Sequence, residues 1–246
     1  MNNPENQQNP QETGKNAPIV NLPPIVTALI VLMVLIHFCA QVILTDESLY
    51  RFFLTFGFAP IRLQYAPEMP GGIGALFWTP FTHGFLHADW MHLTFNMLWL
   101  AVFGTPIARR YGPYGFGVVF GLGLIGGVIG YLIVHFNSVA ILIGASGAVS
   151  ALMGGALRFM YQPLLKAVDE ETGEVRILGR RLATPAELLK DQRAVGFTVV
   201  WMGVNLLFGL FPQLMGMDGA SVAWEAHIAG FITGFFAVAW LERRLF

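Results

Sequence analysis

Six stretches of the chain, 25–44, 91–108, 114–134, 139–161, 194–216 and 222–241, are apolar over about the 20 residues that a helix needs to cross a hydrocarbon core. Polar or charged segments separate them. The pattern predicts an all-α membrane protein, a six-transmembrane-helix bundle. Residues 1–22 are polar and read as a disordered cytoplasmic tail, and 23–246 form one membrane domain with a long inner loop at about 162–193. That loop is long enough for a small cytoplasmic hairpin or a disordered insert. The stretch 45–82, between the first two spans, is dense in Phe, Trp, Tyr, Gly and Pro and too apolar for a hydrated loop. Aromatic side chains favour the headgroup region, so short interfacial helices are expected there.

Glycines recur at four-residue spacing within the spans: Gly123 with Gly127, Gly126 with Gly130, and Gly230 with Gly234. Gly147, Ala151 and Gly155 continue the pattern. Small residues so spaced let helix backbones approach closely. In the third span this is packing and nothing more; in the fourth and sixth it brings polar residues with it.

Charge orients the bundle. Six crossings put both termini on one side, and with the N-terminus inside, 12 of the 14 Lys and Arg residues fall in inner segments. Only Arg51 and Arg62 remain outside, so the positive-inside rule places both termini in the cytoplasm. The N-terminal tail lacks the basic start and short apolar core of a cleaved signal, which makes the first span an uncleaved signal-anchor. A net charge of −1 gives no reason to expect nucleic acid, and the single cysteine, Cys39, indicates neither a disulfide nor a Cys-rich metal site.

Polar residues inside spans are expensive and usually functional or paired. At 1.5 Å per residue, Ser146 lies roughly 18 Å above Arg158, Asn96 roughly 20 Å from Arg109, and His92 and His227 roughly 24–26 Å from Arg109 and Arg243. Four polar positions on three helices thus share the outer half of the membrane. Glycines flank the serine in Gly144-Ala145-Ser146-Gly147, so the backbone can turn tightly and begin a helix there. The first N–H groups of that helix would face an oxygen gaining negative charge during acyl transfer. His227, as a neutral imidazole, suits the task of taking the Ser146 proton. His92 and Asn96, four residues apart on one helix face, carry N–H donors for an oxyanion. His83 and His87 have metal-like spacing but neither HExxH nor a Cys ligand beside them. No metal or other cofactor is therefore expected, and the pair would brace the start of the second span. His37, His135 and Asn205 are isolated and read as structural.

With these residues in place the chain, from about 24 to 241, resembles the rhomboid intramembrane serine proteases of bacteria. The resemblance rests on His87-x4-His92-x3-Asn96, on Gly144-x-Ser146-Gly147 and on Ala226-His227-x2-Gly230-x3-Gly234, in that order along six spans. It implies an endopeptidase that hydrolyses peptide bonds in or next to transmembrane segments of membrane-protein substrates. Ser146 would be the nucleophile and His227 the base, with His92, Asn96 and the Ser146 amide holding the oxyanion. It also implies an inner-membrane location, a site opening outwards, a first outer loop embedded laterally in lipid, and a mobile cap before the sixth span. Two positions depart from the family pattern. Thr79 follows Trp78 where many members have Arg, which questions how the outer loop is braced. Ser150 stands where many have a Tyr that stacks on the catalytic ring.

A rhomboid-like protein that binds membrane clients without cutting them is the competing reading, but such relatives usually lack the serine or the histidine. A transporter or channel would carry charged pairs near the midplane, whereas the only acid in the predicted spans is Glu225, close to an outer end.

Overall fold

The structure, a computed structural model, describes residues 21–168, 174–211 and 222–245. Most of the N-terminal tail, residues 169–173 of the inner loop, and 212–221, which hold the predicted end of the fifth span and the stretch read as a cap, lie outside the described residues.

Helix α1 (Pro24–Ile43) starts on a proline at its first position, where the missing N–H costs nothing. It is apolar all round, yet buries only one stripe, Val26, Met33, His37 and Ala40. Its other faces present Val31, Leu35, Phe38 and Val42 outward, as lipid-facing side chains require. Among the described residues four helices are long and apolar enough to cross a membrane: α1, α5 (Trp90–Val134), α8 (Gln192–Leu210) and α9 (Trp224–Leu245). A straight α5 would be roughly 68 Å long, twice a hydrocarbon core. It is not straight. Gly112 leaves the helical region (φ 67°, ψ −177°) just before Pro113. The second limb folds back, so that a Cβ on Gly104 would lie 3.1 Å from the Phe116 ring.

The outer loop forms the short helices expected of it: α2 (Asp46–Phe56), α3 (Arg62–Tyr65) and α4 (Ala75–Thr82). Trp78 Nε1 donates to the Thr55 carbonyl at 2.9 Å, joining α4 to α2. Thr79 is buried and donates only into its own helix, to the Ala75 carbonyl at 2.7 Å. Arg62 supplies the bracing instead. Counted from sequence only as one of two outer charges, it is 1% exposed and donates to the carbonyls of Leu54 and Pro70.

Helix α6 (Ser146–Met160) corrects the fourth span. Hydropathy draws that span from 139, whereas the glycine motif starts a helix at Ser146; the helix begins at Ser146, and Leu142 pairs with Phe58 of the outer loop as an isolated antiparallel bridge. All residues from Gly147 to Phe159 are buried, with α5 and α9 packed against them. The contacts are largely backbone. A Cβ on Gly230 would overlap the Gly147 carbonyl oxygen, one on Gly234 that of Ala151, and one on Gly154 that of Phe231.

The inner loop folds as a hairpin, β1 (Leu164–Val168) antiparallel to β2 (Val175–Arg180), so the fold is not purely helical. Helix α7 (Pro185–Lys190) follows on a Thr184–Glu187 capping box. The Arg181 guanidinium and the Thr184 groups hold the Glu187 carboxyl down at about 2. Helix α8 starts two residues before the predicted fifth span, capped by Asp191, and buries only Ala194 and Asn205. The predicted end of that span, at 216, lies outside the described residues. Basic residues gather at one end of the helices. Arg110 and Tyr111 both reach Glu242, Arg109 donates to the Asn21 carbonyl at 2.7 Å, and Arg158 donates to Ala183 and Phe235 carbonyls at 2.7 and 3.0 Å.

Candidate active site

The site assembles at the N-terminus of α6. The apolar run before Ser146 stays extended because its main chain is bonded on both sides. Phe58 and Leu142 exchange N–H···O bonds of 3.1 and 2.7 Å, and the Gly144 N–H donates to the His83 carbonyl at 2.9 Å. Gly144 then turns at φ +116°, a conformation that glycine alone adopts at no cost. Its missing side chain also makes room for a ring. A Cβ there would lie 2.7 Å from His92 Nε2 and 3.8 Å from Ser146 Oγ. His92 and Ser146 therefore flank the same glycine.

Helix α6 begins at once. Its first turn closes with Val149 N–H on the Ala145 carbonyl at 2.8 Å, which leaves the amides of Ser146, Gly147 and Ala148 ahead of the helical ladder. Ser146 is half-buried, and so are His92 and His227, whereas Asn96 is 5% exposed. Asp89 fixes the start of α5 by accepting from the His92 N–H at 2.8 Å. One turn along, Asn96 Nδ2 donates to the His92 carbonyl at 2.9 Å, a bond that uses one of its two hydrogens.

His227 reaches the same place through glycine packing. It sits on α9 between Ala226 and Gly230. A Cβ on Gly230 would meet Gly147 backbone, and one on Gly147 would lie 3.7 Å from the Ala226 carbonyl oxygen. The turn that carries His227 is thus pressed against the residue next to Ser146. Among the described residues no hydrogen bond joins the Ser146 hydroxyl to the His227 ring. The bond that His227 does make is to Asn205 of α8, whose Oδ1 lies 2.5 Å from its Nδ1. Asn205 was read as isolated. The depth reasoning could have found it, since it stands 12 residues beyond Arg193, roughly the 18 Å that separates Ser146 from Arg158.

His135 and His37 are not isolated either. His135 Nε2 lies 2.9 Å from Glu225 Oε1, and His37 stacks edge-on against Trp90, ring centroids 4.7 Å apart. His83 brings its carbonyl, not its ring, towards the serine; its Nδ1 donates to the Thr79 carbonyl at 3.0 Å. The His87 ring meets that of His92 edge-on at 5.2 Å. Ser150 is buried one turn into α6, at 5% exposure.

Burial pushes His83 down to about 4, and burial with the neighbouring His92 and His37 pushes His87 down to about 3. Both fold as neutral rings. The unfolded chain takes up their protons as pH falls through about 6.5, so the stability they contribute is complete above that pH and is lost towards the folded values. Thermal unfolding in detergent should therefore show melting falling between about pH 6.5 and 4, with roughly 3 kcal/mol at stake at His83. His83→Asn keeps an N–H for the Thr79 carbonyl and cannot titrate, so it should lessen the fall and leave the part due to His87. A melting temperature constant over that range would contradict the assignment.

A family model described as Rhomboid domain matches residues 75–244. Among curated proteins, one named Rhomboid protease GlpG, from Serratia proteamaculans (strain 568), is 32% identical over 167 residues, which cover 68% of this chain and 49% of the relative. Proteins of the same name from Pectobacterium atrosepticum and Klebsiella pneumoniae are each 28% identical, over 163 and 157 residues. Those alignments cover 66% and 64% of this chain and 48% and 46% of the relatives. The chain spans about half the length of the curated relatives it matches.

Proposed function

Because the chain belongs to the rhomboid family and is an integral membrane protein, we propose that it is an intramembrane serine endopeptidase, with Ser146 as nucleophile and His227 as general base. The observation that carries this reading is the start of α6. A half-buried serine opens the helix behind a positive-φ glycine, with His92 on one side and the His227 turn of α9 on the other. Hydrogen bonds between a nucleophile and its base commonly tighten only when substrate is present.

The reaction then runs as follows. Ser146 Oγ attacks the scissile carbonyl while its proton passes to His227. The tetrahedral oxyanion is held by the Ser146 amide, the second Asn96 hydrogen and the His92 ring, at the positive end of the α6 dipole. The proton passes to the leaving amine, which departs as the acyl-enzyme forms. His227 next deprotonates the water that releases it. Gly144 and Gly147 shape the turn and the contact with α9, His83 holds Gly144 through its carbonyl, and His87 backs the His92 ring.

In the membrane the two limbs of α5 cross separately, and α6 completes its crossing with the extended 139–145, which gives six crossings within a domain of residues 23–246. The basic end faces the cytoplasm with both termini, and the site opens to the outer side of a bacterial inner membrane. Substrates are membrane proteins whose transmembrane segments unwind near the cut, since a hydrogen-bonded helix shields its carbonyls.

An alkyl fluorophosphonate should label the detergent-solubilised protein on Ser146, as located by peptide mapping. His92→Ala and Asn96→Ala should each slow labelling roughly 10- to 1000-fold while the protein stays folded. No label on Ser146 would favour a protein that binds membrane clients without cutting them, and unchanged rates in both variants would remove the oxyanion assignment.

A further inference from the structure

Every serine–histidine pair needs something to hold the ring in the correct tautomer, and the aromatic residue that serves many family members is here Ser150. We propose that Asn205 of α8 is the positioning residue for His227, a neutral third member behind the serine and histidine. The inference rests on the functional reading above.

The hydrogen-bond chain has a single consistent direction. Asn205 Nδ2 donates to the Trp201 carbonyl at 2.8 Å, which fixes the amide with Oδ1 towards His227. An amide oxygen only accepts, so His227 Nδ1, at 2.5 Å, carries the ring proton. A neutral imidazole has one such proton, and Nε2 is left with its lone pair. That is the nitrogen that must receive the Ser146 proton. During attack the proton leaves Oγ for Nε2 as the Oγ–C bond forms, and it leaves Nε2 with the amine. The Nδ1 proton never moves, and Oδ1 supports the transient imidazolium through it.

The support is itself held in place. Trp201 stacks on Phe231 of α9, ring centroids 4.9 Å apart, one turn below the Asn205–His227 bond on each helix. A Cβ on Gly209 would overlap the Trp224 ring near the other end of the contact. Asn205 is one of only two buried residues on α8, and 8% exposed, so the helix commits little else to the protein interior. The titratable groups around His227 are His92 on α5 and, two residues back on its own helix, Glu225, which is paired with His135. Among the described residues no carboxylate bonds to the ring.

The test uses the full chain in detergent and the second-order rate of fluorophosphonate labelling against pH. Asn205→Leu, similar in size without the acceptor, should label roughly 10- to 100-fold more slowly. Asn205→Asp should recover most of the rate and move the acid limb upwards by about one pH unit, because a carboxylate favours the imidazolium. A purely structural role predicts neither recovery nor shift. Unchanged labelling in Asn205→Leu, or an unshifted limb in Asn205→Asp, would overturn the proposal. Should the variants fail to fold, the wild-type protein decides. Nitrogen-15 histidine spectra, with His227 identified by its loss in His227→Asn, should show Nδ1 protonated and Nε2 bare, and the opposite tautomer would overturn it. Failure of the underlying reading looks different, since label would then persist in Ser146→Ala or be indifferent to His227→Ala.

Discussion

Ser146→Ala and His227→Ala should each reduce hydrolysis of a single-span substrate in liposomes roughly 10⁴-fold or more, and the double variant should be no slower than either. The non-additivity is the informative part. If the hydroxyl is acylated only when the ring takes its proton, removing one leaves the other without a task, and a second deletion finds nothing left to remove. The α6 amides, His92 and Asn96 survive in all three variants, so any residual rate should be common to them. Two independent losses that multiply would show that serine and histidine act in separate steps, and the pairing inferred from the α6–α9 contact would fall. Because a client-binding protein has no rate to lose, substrate capture by Ser146→Ala with wild-type affinity is expected under either reading and does not discriminate.

Gly234→Ala should be the most damaging Gly→Ala substitution among the described glycines. Its Cβ would overlap the Ala151 carbonyl oxygen, which is backbone within the buried stretch 147–159 of α6 and has no rotamer to yield. Relief requires α6 and α9 to part, at a cost of about 3 kcal/mol or more. Gly203→Ala on α8 is the control: nothing lies within 4 Å of its added Cβ, and helix propensity predicts a gain of roughly 0.5–1 kcal/mol. Unfolding in mixed micelles should place the two variants on opposite sides of wild type. Equal stabilities would mean that the glycines of α9 reflect composition and not contact.

How much of this was readable beforehand follows from the range of each interaction. Ser146 as the first residue of a helix was legible because the glycines beside it are local. The break between the second and third spans was legible for the same reason, in Arg109, Arg110, Gly112 and Pro113. Hydropathy cannot tell an extended apolar run from a helical one, so 139–145 was drawn as helix although it lies beside the outer loop. Arg62 is buried against the carbonyls of Leu54 and Pro70, and carbonyls leave no mark in a sequence. Asn205 could be placed at the right depth, but its partner is 22 residues away across a segment whose path hydropathy does not give. The hairpin of β1 and β2 was allowed for in outline, while the capping box at Thr184 and Glu187 went unread.

The seam between α6 and α9 is built chiefly of main-chain atoms at Gly147, Ala151, Gly154, Gly230 and Gly234, and Ser146 and His227 ride at one end of it. Their spacing is consequently indifferent to side-chain fashion and to bilayer thickness. A thinner or thicker membrane can tilt the lipid-facing α1 and α8, but it has little lever on a joint in which backbone meets backbone. Sensitivity of this protein to lipid should therefore surface in how substrate is admitted or how His227 is propped from α8, and not in the reach from oxygen to ring.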